Sequence, residues 1–451
     1  MIEDNQLGKS FHLLNWVVVV LLLLSFIPEF SIGRYYFKKV NLLADLQADT
    51  PRSIVKQDST KQKISLLPIQ KDTCKPGVTC IEDYSDDKNA LGNFFKALAE
   101  SRHRAVKVAF FGDSFTEADI LCGSFRDTLQ QLFGGHGVGY MPITSQVNLF
   151  RPTIQHSFSG WRTFWIVGDN NPHSPPGFSG YCFVPQEGNE VEYKPGKRRY
   201  GKFHSVKIFY KSKLSTALHY TLDDSVSFVQ PLVTSDTVQQ EAFLCKGAQT
   251  IKLHFEPFDS LKLYGVSFEE STGLYVDNFS MRGNSGIGLF QIEPSQLQQF
   301  NRFQHYKLIL LQYGLNVVTE NDSTGYEWYV DKMVRVISRL KENLPGSNFL
   351  LISVSDRSYN QNGKFVTMPN IILMRDAQRQ IAKKSKIAFW NLLSAMSGEN
   401  SIAKMVTATP PLAAKDYTHV NFAGGRRLSK KLADALLYER VRYDEKGKKL
   451  P

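Results

Sequence analysis

The sequence predicts an α/β fold, a parallel sheet flanked by helices, interrupted by an inserted all-β module and preceded by one apolar helix. Three observations carry this. AVKVAFF at 105–111 is a short run rich in β-formers that meets Gly112-Asp113-Ser114, after which Ala118, Leu121, Cys122, Phe125, Leu129 and Leu132 recur at helical spacing. Strand and helix patterns alternate again from 274 to 440, and such alternation implies a parallel sheet covered on both faces. Between these stretches, 150–270 shows short strands, turn residues and almost no helical period, the pattern of a β-sandwich.

The elements follow in order. LLNWVVVVLLLLSFI at 13–27 holds one amide, one hydroxyl and no charge. Extended to Phe11 and Phe30, it approaches the roughly 20 residues a spanning helix needs. It offers no polar face, so a core helix is a poor reading. No small-x-small cleavage site follows, the next residues being Pro28-Glu29-Phe30, so 11–32 is read as an uncleaved transmembrane anchor rather than a signal peptide. Lys9 precedes the span and Arg34, Lys38 and Lys39 follow it, a balance that by itself would leave the following chain in the cytoplasm. Residues 33–89 are polar and irregular and read as a stalk. A helix is expected over 90–101. The α/β body takes 90–149 and 271–445, with further strands at 274–280, 307–313, 348–354 and 386–390 and helices at 326–343, 373–384 and 425–440. The module takes 150–270 and is expected to be a sandwich of jelly-roll type. The last helix places Leu428, Leu432, Ala435 and Leu436 on one face, with lysines and arginines around the rest, as befits an amphipathic closing helix.

Composition sets limits on function. The 451 residues are 42% hydrophobic and 22% charged, which excludes a mainly disordered or fibrous chain. A mean hydropathy of -0.26 with a single long apolar run excludes a polytopic membrane protein. Lys and Arg number 54 against 43 Asp and Glu, a net charge of +11. Much of the excess lies in the basic tail at 426–449, which reads as a solvated face. No zinc-finger spacing or RNA-binding aromatic motif is present, so no nucleic-acid partner is expected. Cysteines at 74, 80, 122, 182 and 245 match no metal motif. In an exported chain Cys74 and Cys80 could close a small loop, and the reduced state is equally open. Outside the motifs below no histidine shows ligand spacing, and His136, in a glycine-rich loop, is read as a surface residue. No metal or cofactor is expected.

Four separated signals carry chemistry. Gly112-Asp113-Ser114 ends the first strand of the body, the edge at which open α/β sheets bind ligands. A serine there exposes its hydroxyl, with its own N–H at a helix N-terminus, suited to an oxyanion. Gly283-Asn284-Ser285-Gly286 follows the next strand and offers unobstructed backbone N–H groups. Gly314-Leu315-Asn316 follows the third, and an asparagine amide can donate to the same oxyanion. Asp416-Tyr417-Thr418-His419 lets a carboxylate and a histidine face one site from a single loop, the histidine as general base and the carboxylate holding its tautomer. Each alone has a bland reading as a cap, turn or loop.

Taken together and in this order, the segments resemble the four sequence blocks of SGNH esterases of the GDSL type. The resemblance implies a flavodoxin-like α/β fold with Ser114 as nucleophile and Asp416 and His419 completing the triad. It also implies an oxyanion hole of the Ser114 N–H, Gly286 and the Asn316 amide, with Gly283 a rival to Gly286. The first block reads Gly-Asp-Ser-Phe where the family name has leucine. The segments GDSFTEADILCGSFRDTLQQLFGGHGVGY and AFWNLLSAMSG, the β module, and LAAKDYTHVNFAGGRRLSKKLADALL resemble periplasmic peptidoglycan O-acetylesterases and related O-acetyltransferases, which carry a carbohydrate-binding-like module after the first block. That resemblance implies an acetylated glycan substrate, peptidoglycan foremost. It also implies a catalytic body outside the cytoplasm, held to the inner membrane by the N-terminal helix.

Three readings stay open: an O-acetylesterase, an O-acetyltransferase supplied by a membrane-bound O-acyltransferase, and an inactive glycan-binding envelope protein. In the module, Trp161 and Trp165, with Phe158 and Phe164 nearby, read either as sandwich core or as a platform on which sugar rings stack.

Overall fold

The computed structural model describes residues 16, 30–32, 35–37, 73–168, 173–196, 201–320 and 325–448. The chain divides into two compact units, Met1–Pro68 and Ile69–Pro451. In the first, the described part is an antiparallel hairpin of Phe30–Ile32 and Tyr35–Phe37. A strand at 30–32 trims the end of the expected 11–32 anchor. The apolar run itself, Trp16 apart, lies outside the described residues. Among the described residues no helix is long and apolar enough to cross a membrane.

The second unit is built on a six-stranded sheet. Its strands are β1 (Ile81–Asp83), β2 (Ala105–Gly112), β3 (Gly273–Ser280), β4 (Leu308–Gln312), β5 (Asn348–Ile352) and β6 (Ala388–Trp390), in the order β3-β2-β4-β5-β6-β1. The first five are parallel, in register through pairs such as Ala109 with Ile309, and β1 closes the edge antiparallel to β6. Every residue of β4 is buried, as expected of a strand covered on both faces. The sheet carries α1 (Gly92–Ala99), α2 (Cys122–Phe133), α3 (Pro294–Gln304), α4 (Glu327–Asn343), α5 (Asn370–Ser385) and α6 (Phe422–Lys448). In α4 the stripe Tyr329, Val330, Met333, Val336, Ile337 and Leu340 is buried, the narrow apolar face that periodicity predicts.

Three boundaries differ from expectation, each for a physical reason. Residues 73–89 are not stalk. Cys74 and Cys80 are disulfide-bonded, β1 pairs with β6, and the buried Glu82 carboxylate meets the Arg379 guanidinium at 2.9 Å. Helix α2 starts at Cys122 rather than near Ala118, because Ala118 and Asp119 sit at φ of 52° and 63°, in the left-handed region a helix cannot include. Helix α3 has little periodic signal in the sequence, because Leu297 and Phe300 are the only large apolar residues it buries.

The module begins at Gly139–Met141, earlier than 150. It is antiparallel throughout, and its strands hydrogen-bond into one continuous nine-stranded sheet. Its long strands Ile154–Trp165 and Tyr181–Pro195 pair with each other. Their alternation is broken by a register shift between Ser159 and Trp161, the local kink that a bulge produces, which hid them in the sequence. The module is seated, not tethered. Phe178 stacks on Tyr306 at 4.9 Å between ring centroids and contacts Phe111 and Phe279 of the body. Beneath the seat, buried Lys107 bonds Glu269 and Gln304 and lies 2.9 Å from Asp277, while Lys207 of the module reaches the other Glu269 oxygen. A buried charge is tolerated when paired and hydrogen-bonded in this way.

Candidate active site

The sheet order β3-β2-β4 places the turn of the sheet between β2 and β4, and ligands bind at the carboxyl edge of such a point. Ser114 lies just past β2, and Asn316 lies just past β4. The Met281 N–H donates to Gly112 O at 2.9 Å, which sets the loop after β3 beside them. The fourth segment arrives on a tight hairpin. Ala414 N–H donates to His419 O (2.8 Å), Ser358 N–H donates to Tyr417 O (3.0 Å), and the Phe365 ring stacks on Tyr417. Asn421 then accepts from Ala423 and Gly424 N–H (2.9 and 3.0 Å), the N-cap that starts α6. Ser429 Oγ of α6 donates to Leu121 O at 2.6 Å, tying the helix that follows His419 to the segment that follows Ser114.

These anchors bring Ser114, His419 and Asp416 into one chain. Ser114 Oγ lies 2.9 Å from His419 Nε2, and His419 Nδ1 lies 2.7 Å from Asp416 Oδ2. A carboxylate only accepts, so the proton belongs on Nδ1 and Nε2 is left to accept from the serine hydroxyl. Asp416 Oδ1 also accepts from Thr418 and His419 N–H, both at 3.0 Å. Partial burial would raise the Asp416 carboxyl, but the bonds from the His419 ring and these N–H groups outweigh it and hold it below the usual carboxylate range. The loop carboxylate therefore stays ionised beside the imidazole.

The oxyanion donors depart from expectation. Gly286 is buried and its N–H donates to Asn284 Oδ1 at 2.8 Å, so it is engaged rather than offered to a substrate. Its glycine has a packing reason: at φ of 87°, a Cβ would come within 2.8 Å of the Tyr313 ring. Gly283, the rival glycine, is exposed at φ of 75° in the same loop. Ser114 does not start α2 as expected; a turn and a short 3₁₀ segment, Glu117–Asp119, intervene. Asn316 is exposed at the site, its Nδ2 donating to Asn284 O (3.0 Å) and Asp113 Oδ2 (3.3 Å). The longer of these is the one an oxyanion could displace.

Two residues carry more than the motif reading gave them. Asn284 holds both Gly286 and Asn316. Asp113, fully buried, accepts from Phe115 N–H at 2.9 Å and from Asn316. Burial pushes its carboxyl up to about 7, helped by nearby Glu117 and opposed by the Phe115 N–H. Neither role could be read from residue type, since both involve Asn316, which is distant in sequence.

A cleft of about 420 Å³ lies between module and body, near the carboxyl ends of β2 and β3. Phe158, Trp161, Trp165 and Tyr181 form one side, and Glu117, Asn278 and Ser280 the other. Ser114 is not in its lining, but Glu117 follows Ser114 by three positions and Ser280 pairs with Gly112, so the cleft adjoins the segment that carries Ser114. Trp161 and Trp165 are half-buried, with Trp161 Nε1 donating to Glu190 O at 2.9 Å, whereas Phe164 is core. The two readings of these aromatics thus divide residue by residue.

No protein-family model matches the sequence, and no curated protein matches it. Solved structures do. A peptidoglycan O-acetylesterase superposes with a TM-score of 0.66 at 18% identity, over 80% of this chain and 99% of that one. An acetyl xylan esterase (16% identity, 36% of this chain and 81% of that one) and a family two carbohydrate esterase from Cellvibrio japonicus (8% identity, 64% and 99%) overlap at TM-scores of 0.28 and 0.27. At such identities likeness speaks for the fold: the chain shares the fold of the peptidoglycan O-acetylesterase, an α/β sheet with an added β-rich module.

Proposed function

We propose that this chain is a serine carbohydrate esterase of the SGNH type that removes O-acetyl groups from a cell-envelope glycan, peptidoglycan foremost. The observation that carries the reading is the continuous Ser114–His419–Asp416 chain at 2.9 and 2.7 Å, with an aromatic cleft adjoining the segment that carries Ser114. His419 takes the Ser114 proton as Oγ attacks the acetyl carbonyl, and Asp416 steadies the imidazolium. The tetrahedral oxyanion is held by the Ser114 N–H, the Asn316 amide and the Gly283 N–H. His419 then protonates the departing sugar oxygen, leaving acetyl-Ser114. A water, deprotonated by His419, releases acetate and restores the hydroxyl. Sugar rings stack on Trp161 and Trp165, faces suited to the apolar side of a pyranose.

The fold shared with a peptidoglycan O-acetylesterase supports the substrate class. The Cys74–Cys80 disulfide supports a body in an oxidising, extracytoplasmic compartment, and the apolar run at 13–27 supports attachment to the membrane.

The test is acetate release from O-acetylated peptidoglycan by the full-length chain and by Ser114→Ala, with and without a glycan acceptor. Serine-dependent release insensitive to acceptor supports the esterase. Transfer of the acetyl group to the acceptor makes the protein an O-acetyltransferase, which would need a membrane-bound acyl donor. Absence of Ser114-dependent turnover, on this glycan and on a small activated acetyl ester, would overturn catalysis and leave a glycan-binding protein.

A further inference from the structure

At the opposite end of β3 from the triad, His136, His204 and Glu270 converge, their ligand atoms all within 4.8 Å of one another. They come from three segments: the loop after α2, the module strand Phe203–Ser212, and the chain leaving the module after Lys262–Phe268. We infer that these residues form a binding site for a divalent transition-metal ion, zinc being the best match, that clips the module's entry and exit together.

The chemistry of the set favours this class. Two imidazoles and one carboxylate are the donors of open zinc sites, which keep a further position for water. Imidazole donors suit zinc and its neighbours over magnesium or calcium, which prefer oxygen. The rings of His136 and His204 meet edge to face at 5.5 Å. His204 is exposed, and His136 and Glu270 are half-buried, so small side-chain rotations can draw the donors to the separation of about 3.3 Å that a tetrahedral ion with bonds near 2 Å imposes.

The frame that presents the donors is already built. One hydroxyl holds two of the three backbones: Tyr275 Oη accepts from Glu270 N–H at 2.9 Å and His136 N–H at 3.4 Å while donating to Thr272 O. The loop carrying His136 is pressed onto the chain that carries Glu270, since a Cβ on Gly137 (φ 119°) would lie 2.2 Å from Phe268 O. The neighbouring cations are already matched, Lys107 and Lys207 both pairing with Glu269. The site is independent of the triad. The eight residues of β3 separate the two by roughly 26 Å at about 3.3 Å per residue, so an ion here acts on the seating of the module and not on the reacting ester.

The experiment uses the untagged full-length chain, purified in detergent and stripped with a chelator. Zn²⁺ is titrated calorimetrically, and Co²⁺ is followed by its visible bands. One equivalent should bind and raise the thermal midpoint. His136→Ala, His204→Ala and Glu270→Gln should each weaken binding at least tenfold while leaving hydrolysis of a small acetyl ester and the metal-free melting curve unchanged. His254→Ala removes a histidine paired with Glu256 instead and should leave binding intact. Absence of saturable binding at micromolar zinc, or one-equivalent binding that survives all three substitutions, would overturn the inference.

Discussion

The carboxyl edge of the α/β sheet and the aromatic wall of the module meet at one cleft but are built on opposite principles. The edge presents a few polar side chains on short loops, held by hydrogen bonds, as with Asp416 between the His419 ring and two N–H groups. The wall presents broad half-buried faces, Trp161 and Trp165, on long paired strands. Chemistry needs fixed atoms at bond-making distance, so one lost contact should be severe. Recognition by stacking spreads over area, so one lost ring should be mild.

Substitutions can break or sharpen that contrast. Ser114→Ala should abolish turnover of acetyl esters, and Asp416→Asn should lower kcat on the order of 10⁴-fold by freeing the wrong imidazole tautomer, both read in steady-state assays on a small ester. Asn316→Ala should cost about 10²–10³-fold in kcat, as does the loss of one oxyanion donor. An unchanged kcat would remove Asn316 from the oxyanion hole. Asp113 offers a probe through stability. With its carboxyl near 7 in the fold and near 4 when unfolded, the folded state holds the extra proton between those values. Stability from this group is therefore fully present below about pH 4 and is lost as pH rises towards 7. Asp113→Asn should flatten that slope, on the order of 3 kcal/mol over the window, in denaturant melts across pH. Trp161→Ala should be the mildest for chemistry, raising KM on the polymeric glycan by about tenfold, a stacked ring's worth of binding. Its kcat on a small acetyl ester should not move. A fall in that kcat would mean that the wall positions the triad as well as the glycan.

Legibility divided along the same line. Ser114, Asp416 and His419 stand out as candidates because a strand-end Gly-Asp-Ser and an Asp-x-x-His loop are local patterns; the Asp416–His419 contact is local, whereas the Ser114–His419 contact joins residues far apart in the chain. The parallel strands were legible for the same reason, as continuous buried runs. The engagement of the Gly286 N–H is not legible in the sequence, because an N–H is only as available as its neighbour allows, and the neighbour here is the Asn284 side chain. The stalk was extended too far because β1 is three residues long, and only its pairing with β6 makes it a strand.

The sequence by itself therefore determined the α/β alternation, the inserted β module and the local Gly-Asp-Ser and Asp-x-x-His patterns, all properties of residues close together in the chain. The tertiary structure alone decided that the module is one seated nine-stranded sheet, that its tryptophans face a cleft adjoining the segment that carries Ser114, and that His136, His204 and Glu270 converge. Those residues are separated by more than sixty positions, and no local period or spacing records which distant segments a folded sheet brings side by side.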